Sequence, residues 1–544
     1  MSYISSSTRC LQLLEKCKNL KHLHQAHAQV FTCGLAHNTF ALSRLLAFCS
    51  DPHHGSGSLS YALKLFHHIP QPTLCIYNTI LKSLLLRNEL THTLKVYTHM
   101  LQSGTHPDNY TLPYVLKASV KLQSCSLGEL LHGCSFKLGF ESDIYVGNSL
   151  MVMYCAFDNV KGARYVFDEM SSLSAVSWTV MISGYAKVGD VDTARMFFDE
   201  APVRDRGIWG AMLSGYVQNN CFKECLYLFR SMQASDLEPD EAVFVSVLCA
   251  CAHLGDLNIG IWIHSYLNRL GLPLSVRVGT GLIDMHAKCG KLGLARGVFY
   301  EMQQKDTVCY NAMISGLALH GDGKGALELF REMEAASVRP DDISFIAVFT
   351  ACSYAGMACE GLRMLDKMCN VYNIRPKSEH YGCIVDLLSR AGLFQEAREL
   401  IDRMPSSSNV SEEAVAWRAF LSACCNHGQA ELAEVAAEKL FRLEHHSGVY
   451  VLLSNLYAAA GKHGDARRIR NLMRNRGVDK APGCSSVEID RAVYEFIAGE
   501  KTHPQMEEIQ IVLQTINKQM ELSVSHHPSS FQLSVSHRSL SVDF

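Results

Sequence analysis

Apolar residues recur along the chain at helical spacing, in short blocks that come in pairs. In the second block of Thr307–Asp341, Ala326, Leu327, Leu329, Phe330 and Met333 fall on one face of a helix. The whole stretch reads as two short amphipathic helices closed by Pro340-Asp341. One such hairpin cannot bury its apolar face alone, whereas a stack of them can.

The same pattern fills most of the chain. Thr307–Asp341, Leu74–Asp108, Asn109–Asp143, Arg206–Asp240 and Glu241–Ser275 are each 35 residues long. Ile144–Ser174, Ala175–Asp205 and Val276–Asp306 are each 31, and Asp342–Lys377 is 36. Ser378–Asn409 is a further short unit, and degenerate units occupy 5–73, with a loop insertion around Asp51–Gly57. Equivalent positions carry equivalent chemistry. The fifteenth is Gly189, Gly255, Gly290, Gly321, Gly356 or Gly392, or else Asn88, Asn220 or Asp158, residues that tolerate a left-handed backbone between two helices. The twentieth is small, as at Ala163, Ala194, Gly260 and Ala326, which lets helices approach closely. The twenty-fourth is often Phe and the twenty-seventh often Met, a stripe that reads as core. The fold expected is all-α: a right-handed superhelical solenoid of helix-turn-helix repeats of about 31–36 residues, with the first helix of each repeat lining the inner groove.

Composition narrows the function. The chain has 544 residues, 48% hydrophobic, which is enough for a continuous core. A net charge of −3 gives no bulk electrostatic case for nucleic acid or membrane, so any RNA contact must rest on a local surface. No unbroken apolar run reaches membrane-spanning length. The 21 cysteines read as buried thiols of a reducing compartment, and no two stand three apart, so no CxxC begins a zinc site. Residues 1–10 are a possible short targeting segment, with Ser5, Ser6, Ser7 and Arg9 and no acid before Glu15.

Tetratricopeptide repeats share this length and hairpin, but they place Trp early, then Leu-Gly and Tyr. Here repeats open with Tyr77-Asn78 and Tyr310-Asn311, or Gly147-Asn148 and Gly279-Thr280, and often close with Pro-Asp. That pattern resembles the pentatricopeptide repeat (PPR) family over about residues 5–520. The order of lengths resembles the P, L and S repeats of its PLS subfamily: P 74–108, L 109–143, S 144–174, S 175–205, P 206–240, L 241–275, S 276–306, P 307–341, L 342–377 and S 378–409. Residues 414–447 resemble the family's first E motif and 448–481 its second. Pro482-Gly483-Cys484-Ser485-Ser486-Val487 begins a PG box and truncated extension at 482–520, with Ser486 where the family usually has Trp. Residues 521–544 are a low-complexity Ser/His tail in which LSVSH occurs twice.

Fuller relatives continue into a DYW deaminase domain. That chemistry needs His-x-Glu, to bind zinc and move protons, and a CxxC pair. None of the 25 His residues has Glu two positions later, and after Ala430 the only Cys is Cys484. No catalytic residues, metal ligands or cofactors are therefore assigned, and the chain is expected not to be an enzyme.

The resemblance implies that each repeat reads one RNA base through its fifth and last residues. Asn78/Asp108 and Asn311/Asp341 then imply U, Asn148/Ser174 implies C, and Thr179/Asp205 and Thr280/Asp306 imply G. Val308 and Ile343, second residues of successive repeats, would clamp a base. Gly210/Asp240, Pro113/Asp143, Val245/Ser275, Ile346/Lys377 and Gly382/Asn409 are not polar readers of this kind. With the RNA parallel to the chain, the target reads 5′-U-N-C-G-N-N-G-U-N-N. The function implied is a site-recognition factor for C-to-U editing of organellar transcripts. Its partners would be single-stranded organellar RNA, a DYW-type deaminase in trans and accessory proteins of the editing complex, in the mitochondrion or alternatively the chloroplast. The alternatives are a splicing, stability or processing factor in the same organelle, or a protein-binding helical scaffold.

Overall fold

Helices begin where the sequence supplies an oxygen to cap them. The side chains of Asp143, Ser174, Asp205, Asp240, Ser275 and Asp306 each accept a backbone N–H from the first turn of the helix that follows. Such a cap contributes about 1 kcal/mol. Helices end at a left-handed residue, with φ of +89° at Gly189, +61° at Asn88 and +58° at Asp158. Gln123, at the same place in 109–143, also has a positive φ, +55°.

The computed structural model describes residues 20–525, apart from 36–37, 51–58, 70, 236, 272–273, 405–409, 445, 481–482, 490–491 and 498–504. The possible targeting segment, the Asp51–Gly57 insertion, Asn409, Pro482 and the tail from 526 lie outside the described residues. The chain divides into two compact units, Met1–His320 and Gly321–Phe544.

In the first unit short helices alternate, from Leu20–Thr32 to Thr307–Leu319, as antiparallel pairs. The first helix of a pair packs on its own second helix and on the first helix of the next pair; Ala175–Lys187, for example, contacts Val191–Glu200 and Arg206–Gln218. Phe167, Phe198, Phe229 and Phe299 are buried, as are Met100, Met170, Met232 and Met302. Glycine sets the spacing. A Cβ on Gly215 would lie 2.7 Å from the Cβ of Ala186, and one on Gly147 would lie 2.7 Å from the Met170 sulfur. The thioethers of Met153 and Met170 fill the room left by Gly128 and Gly147.

The second unit continues with helices from Gly323–Ala335 to His463–Asn475. It then forms an antiparallel hairpin, β1 (Cys484–Ile489) paired with β2 (Ala492–Ile497), with Cys484 opposite Ile497. The hairpin is a small addition to an otherwise helical chain. A last helix, Met506–Ser525, runs past Glu521 into the segment read as low-complexity tail.

Candidate nucleic-acid interface

In 74–108 and 144–174 the fifth residue lies on the first helix, and the last residue caps the helix that follows. These two positions therefore meet where successive first helices pack together. Asn78 and Asp108 are both half-buried. Asn78 Nδ2 donates to Asp108 Oδ1 at 3.0 Å and lies 3.2 Å from Oδ2. The carboxylate also accepts the N–H groups of Tyr110 and Thr111 at 3.0 and 2.7 Å, so pairing and capping coexist in one side chain. Burial raises the Asp108 carboxyl. The bonds from the Thr111 hydroxyl and N–H, from Asn78 and from the Tyr110 N–H outweigh burial and hold the group below its ordinary value.

At Asn148/Ser174 the acceptor is a hydroxyl. Asn148 Nδ2 donates to Ser174 Oγ at 3.2 Å, while Ser174 caps the helix Ala175–Lys187. The threonine pairs differ. The Thr179 hydroxyl donates to its own helix at the Ala175 carbonyl, 2.9 Å away, and exposed Asp205 caps Ile208 N at 2.9 Å. The Thr280 hydroxyl is buried without a well-directed hydrogen bond. Its neighbour is the Cys309 thiol, pushed up to about 11 by burial, which outweighs the contact with Thr280. Exposed Asp306 caps Cys309 N at 2.9 Å.

Asn311 closes the first unit, buried on the helix Thr307–Leu319. Asp341, in the second, caps the helix Asp342–Ala355 in a capping box with Ser344. Val308 and Ile343 are 59% and 56% exposed. Tyr110 and Tyr145, at the same second position of their repeats, are also exposed, with near-parallel rings 6.4 Å apart.

Two contacts escaped sequence reasoning. Asp143, the partner assigned to Pro113, bonds instead to the first residue of its repeat: Asn109 Nδ2 donates to Asp143 Oδ2 at 2.9 Å. In the second unit the first and last residues of 342–377 form an ion pair, Asp342 with Lys377. The signal was an amide or carboxylate at position one where position five is apolar. The other missed residues are Thr111 and Ser177, whose hydroxyls reach Asn78 and Asn148.

Downstream, Tyr457 donates to Glu434 Oε1 at 2.7 Å. A cleft of about 710 Å³ has Glu434 and Glu438 on one wall and Arg467 and Arg468 on the other. Among the described residues, no group of three or more His, Cys, Asp or Glu could hold a metal ion. No described helix is long and apolar enough to cross a membrane.

Paired helices stacked through their first members, with polar side chains bonded from one repeat end to the next, define a helical-hairpin repeat protein. Comparison with known proteins names the family. The PPR repeat model matches residues 148–174, 176–204, 207–237, 280–307 and 379–408, a second PPR repeat family model matches 305–353, and the E motif model matches 427–488. A pentatricopeptide repeat-containing protein of Arabidopsis thaliana is 38% identical over 94% of this chain and 95% of its own length. Two others from Arabidopsis thaliana, one named chloroplastic and one mitochondrial, are 34% and 33% identical over 94% and 96% of this chain, and over 82% and 91% of their own lengths. The crystal structure of the pentatricopeptide repeat protein PPR10 from maize matches with a TM-score of 0.50 at 15% identity, over 87% of this chain and 79% of that one, a likeness of fold. The chain belongs to the pentatricopeptide repeat family, as an E-type member of its PLS subfamily.

Proposed function

We propose that this protein binds single-stranded RNA in a sequence-specific manner and selects sites for C-to-U editing in organellar transcripts. The observation that carries the reading is the Asn78–Asp108 pair. The amide is held by a carboxylate within hydrogen-bond distance and half-buried between two repeats. An amide so held presents a defined donor and acceptor edge, which is what a Watson–Crick edge is read with. Asn148/Ser174 repeats the arrangement with a hydroxyl. Exposed apolar second residues such as Val308 and Ile343 supply surfaces for base stacking.

The E motif favours editing over the other RNA roles. A DYW-type deaminase acts in trans, recruited through the E region, whose cleft combines apolar side chains such as Phe441 and Leu453 with charged ones such as Glu438 and Arg467. The organelle is a mitochondrion or a chloroplast, as in the names of its relatives.

Binding of 5′-U-N-C-G-N-N-G-U-N-N by the purified chain tests the first half. Affinity is expected to fall when both G positions become A, and to weaken as salt rises through lost phosphate contacts. Equal affinity for both RNAs overturns the base assignments, and no retention at low salt leaves a protein-binding scaffold. Organellar C-to-U conversion compared with and without the protein tests the second half. Conversion is expected to be lost at one or a few sites just 3′ of a matching sequence. Binding without any such loss moves the function to splicing or transcript stability.

A further inference from the structure

Each reader asparagine is followed, at the third position of the next repeat, by a fully buried hydroxyl residue: Thr111 after Asn78/Asp108, Ser177 after Asn148/Ser174 and Ser344 after Asn311/Asp341. After the threonine pairs the same position holds Ile208 or Cys309. The chemistry explains the difference. A threonine needs one acceptor for its proton, and Thr179 finds it in its own helix. An asparagine carries both an N–H₂ and a carbonyl oxygen, and a half-buried carbonyl oxygen needs a donor of its own. Asp108 is a pure acceptor and cannot supply one. Thr111 stands within reach of both: its Oγ1 lies 2.7 Å from Asn78 Oδ1 and 2.7 Å from Asp108 Oδ1, and its one proton is shared between these two acceptors. Ser177 Oγ donates to Asn148 Oδ1 at 2.7 Å. Ser344 stands in the same relation to Asp341, its Oγ donating to Asp341 Oδ1 at 2.9 Å.

We propose that the buried hydroxyl at the third position of the following repeat is a positioning residue for base reading: it lies against the asparagine carbonyl oxygen and steadies the amide in the orientation that the last residue of its own repeat sets. Uracil and cytosine present opposite donor and acceptor patterns at the two atoms an amide reaches. An amide free to turn over serves either base, and an amide locked at both ends serves one. Base selection at an asparagine repeat therefore rests on three residues, the fifth, the last and the third of the next repeat. This deepens the proposed RNA reading and rests on it.

The test uses the full chain and 5′-U-N-C-G-N-N-G-U-N-N with U or C at the first position. Wild-type protein is expected to prefer U there. Thr111→Val is expected to lose about fivefold of that preference, the worth of one hydrogen bond. Discrimination at the fourth and seventh positions should be unchanged, and Thr111→Ser should restore the first. Ser177→Ala, a gentler change at a buried site, is expected to relax discrimination at the third position alone. Undiminished preference in Thr111→Val and Ser177→Ala overturns the inference while leaving base reading intact. A uniform loss at all positions together with a lower Tm also overturns it, because the hydroxyl then acts only as a helix cap. Absence of any preference in wild-type protein overturns the base reading itself.

Discussion

Residues 74–108 and 109–143 have the same length, both end in aspartate, and both pass that aspartate to the start of the next helix. They use it differently. Asp108 is bonded to Asn78, at the fifth position, and Asp143 to Asn109, at the first. The fifth residue of the second segment is Pro113, which has no polar group to offer, so the carboxylate takes another amide within reach. A terminal aspartate is thus no evidence of a reader by itself. The fifth residue decides whether the acid bonds an amide at the fifth position or one at the first. The segment 342–377 makes the second choice through charge, with Ile346 at position five and Asp342 paired to Lys377.

The largest expected effect comes from erasing the difference. Asn78→Leu should lose about tenfold of the preference for U at the first RNA position, measured by competition binding. Discrimination at positions three, four and seven should persist. Building the missing reader should do the reverse: Pro113→Asn combined with Val146→Thr supplies the amide and the hydroxyl, and a preference of about fivefold for U should appear at the second position. No new preference there would mean that the two segments differ by more than these side chains. Asn109→Ala should leave base discrimination untouched and lower stability by about 1 kcal/mol in chemical denaturation. Gln123→Gly should raise stability by a similar amount, about 1 kcal/mol, because it relieves a side chain held at positive φ where the first segment has Asn88.

Acid gives a further contrast. Hydrogen bonds hold the Asp108 carboxyl below its ordinary value, so its contribution is fully present above the unfolded value near 4 and is lost as pH falls through the folded one. The Tm gap between wild type and Asp108→Asn should be constant near neutrality and close only below about pH 4.

The helical character was legible because apolar residues recur at helical spacing within each block, as at Ala326, Leu327, Leu329, Phe330 and Met333, and these residues are buried. Numbering also placed Asn78 opposite Asp108, since a repeat end and the fifth position on the preceding first helix are brought together by stacking. Thr111 and Ser177 were not legible as partners of those asparagines. Within their own repeats they look like ordinary residues of a first helical turn, and their contact belongs to the repeat before. The Asn109–Asp143 bond was hidden by attention to position five. The β1–β2 hairpin lies in the stretch that resembles the family's PG box, and that resemblance carries no strand signal of its own. Val487 and Ile489 alternate with polar residues at the period of a strand, and on the facing strand Tyr494, opposite Val487, and Phe496 flank Glu495 in the same way.

The thioethers that fill the space beside Gly128 and Gly147 have a use of their own. An oxygen added to Met153 or Met170 has no room while the helices are closed, and peroxide reaches the sulfur only when they part. Sulfoxide formation at each buried methionine, followed by mass spectrometry, would then record how often each neighbouring pair of repeats breathes. The chain carries a set of chemical clocks along its length, and occupancy by RNA should slow those beneath the nucleotides it covers.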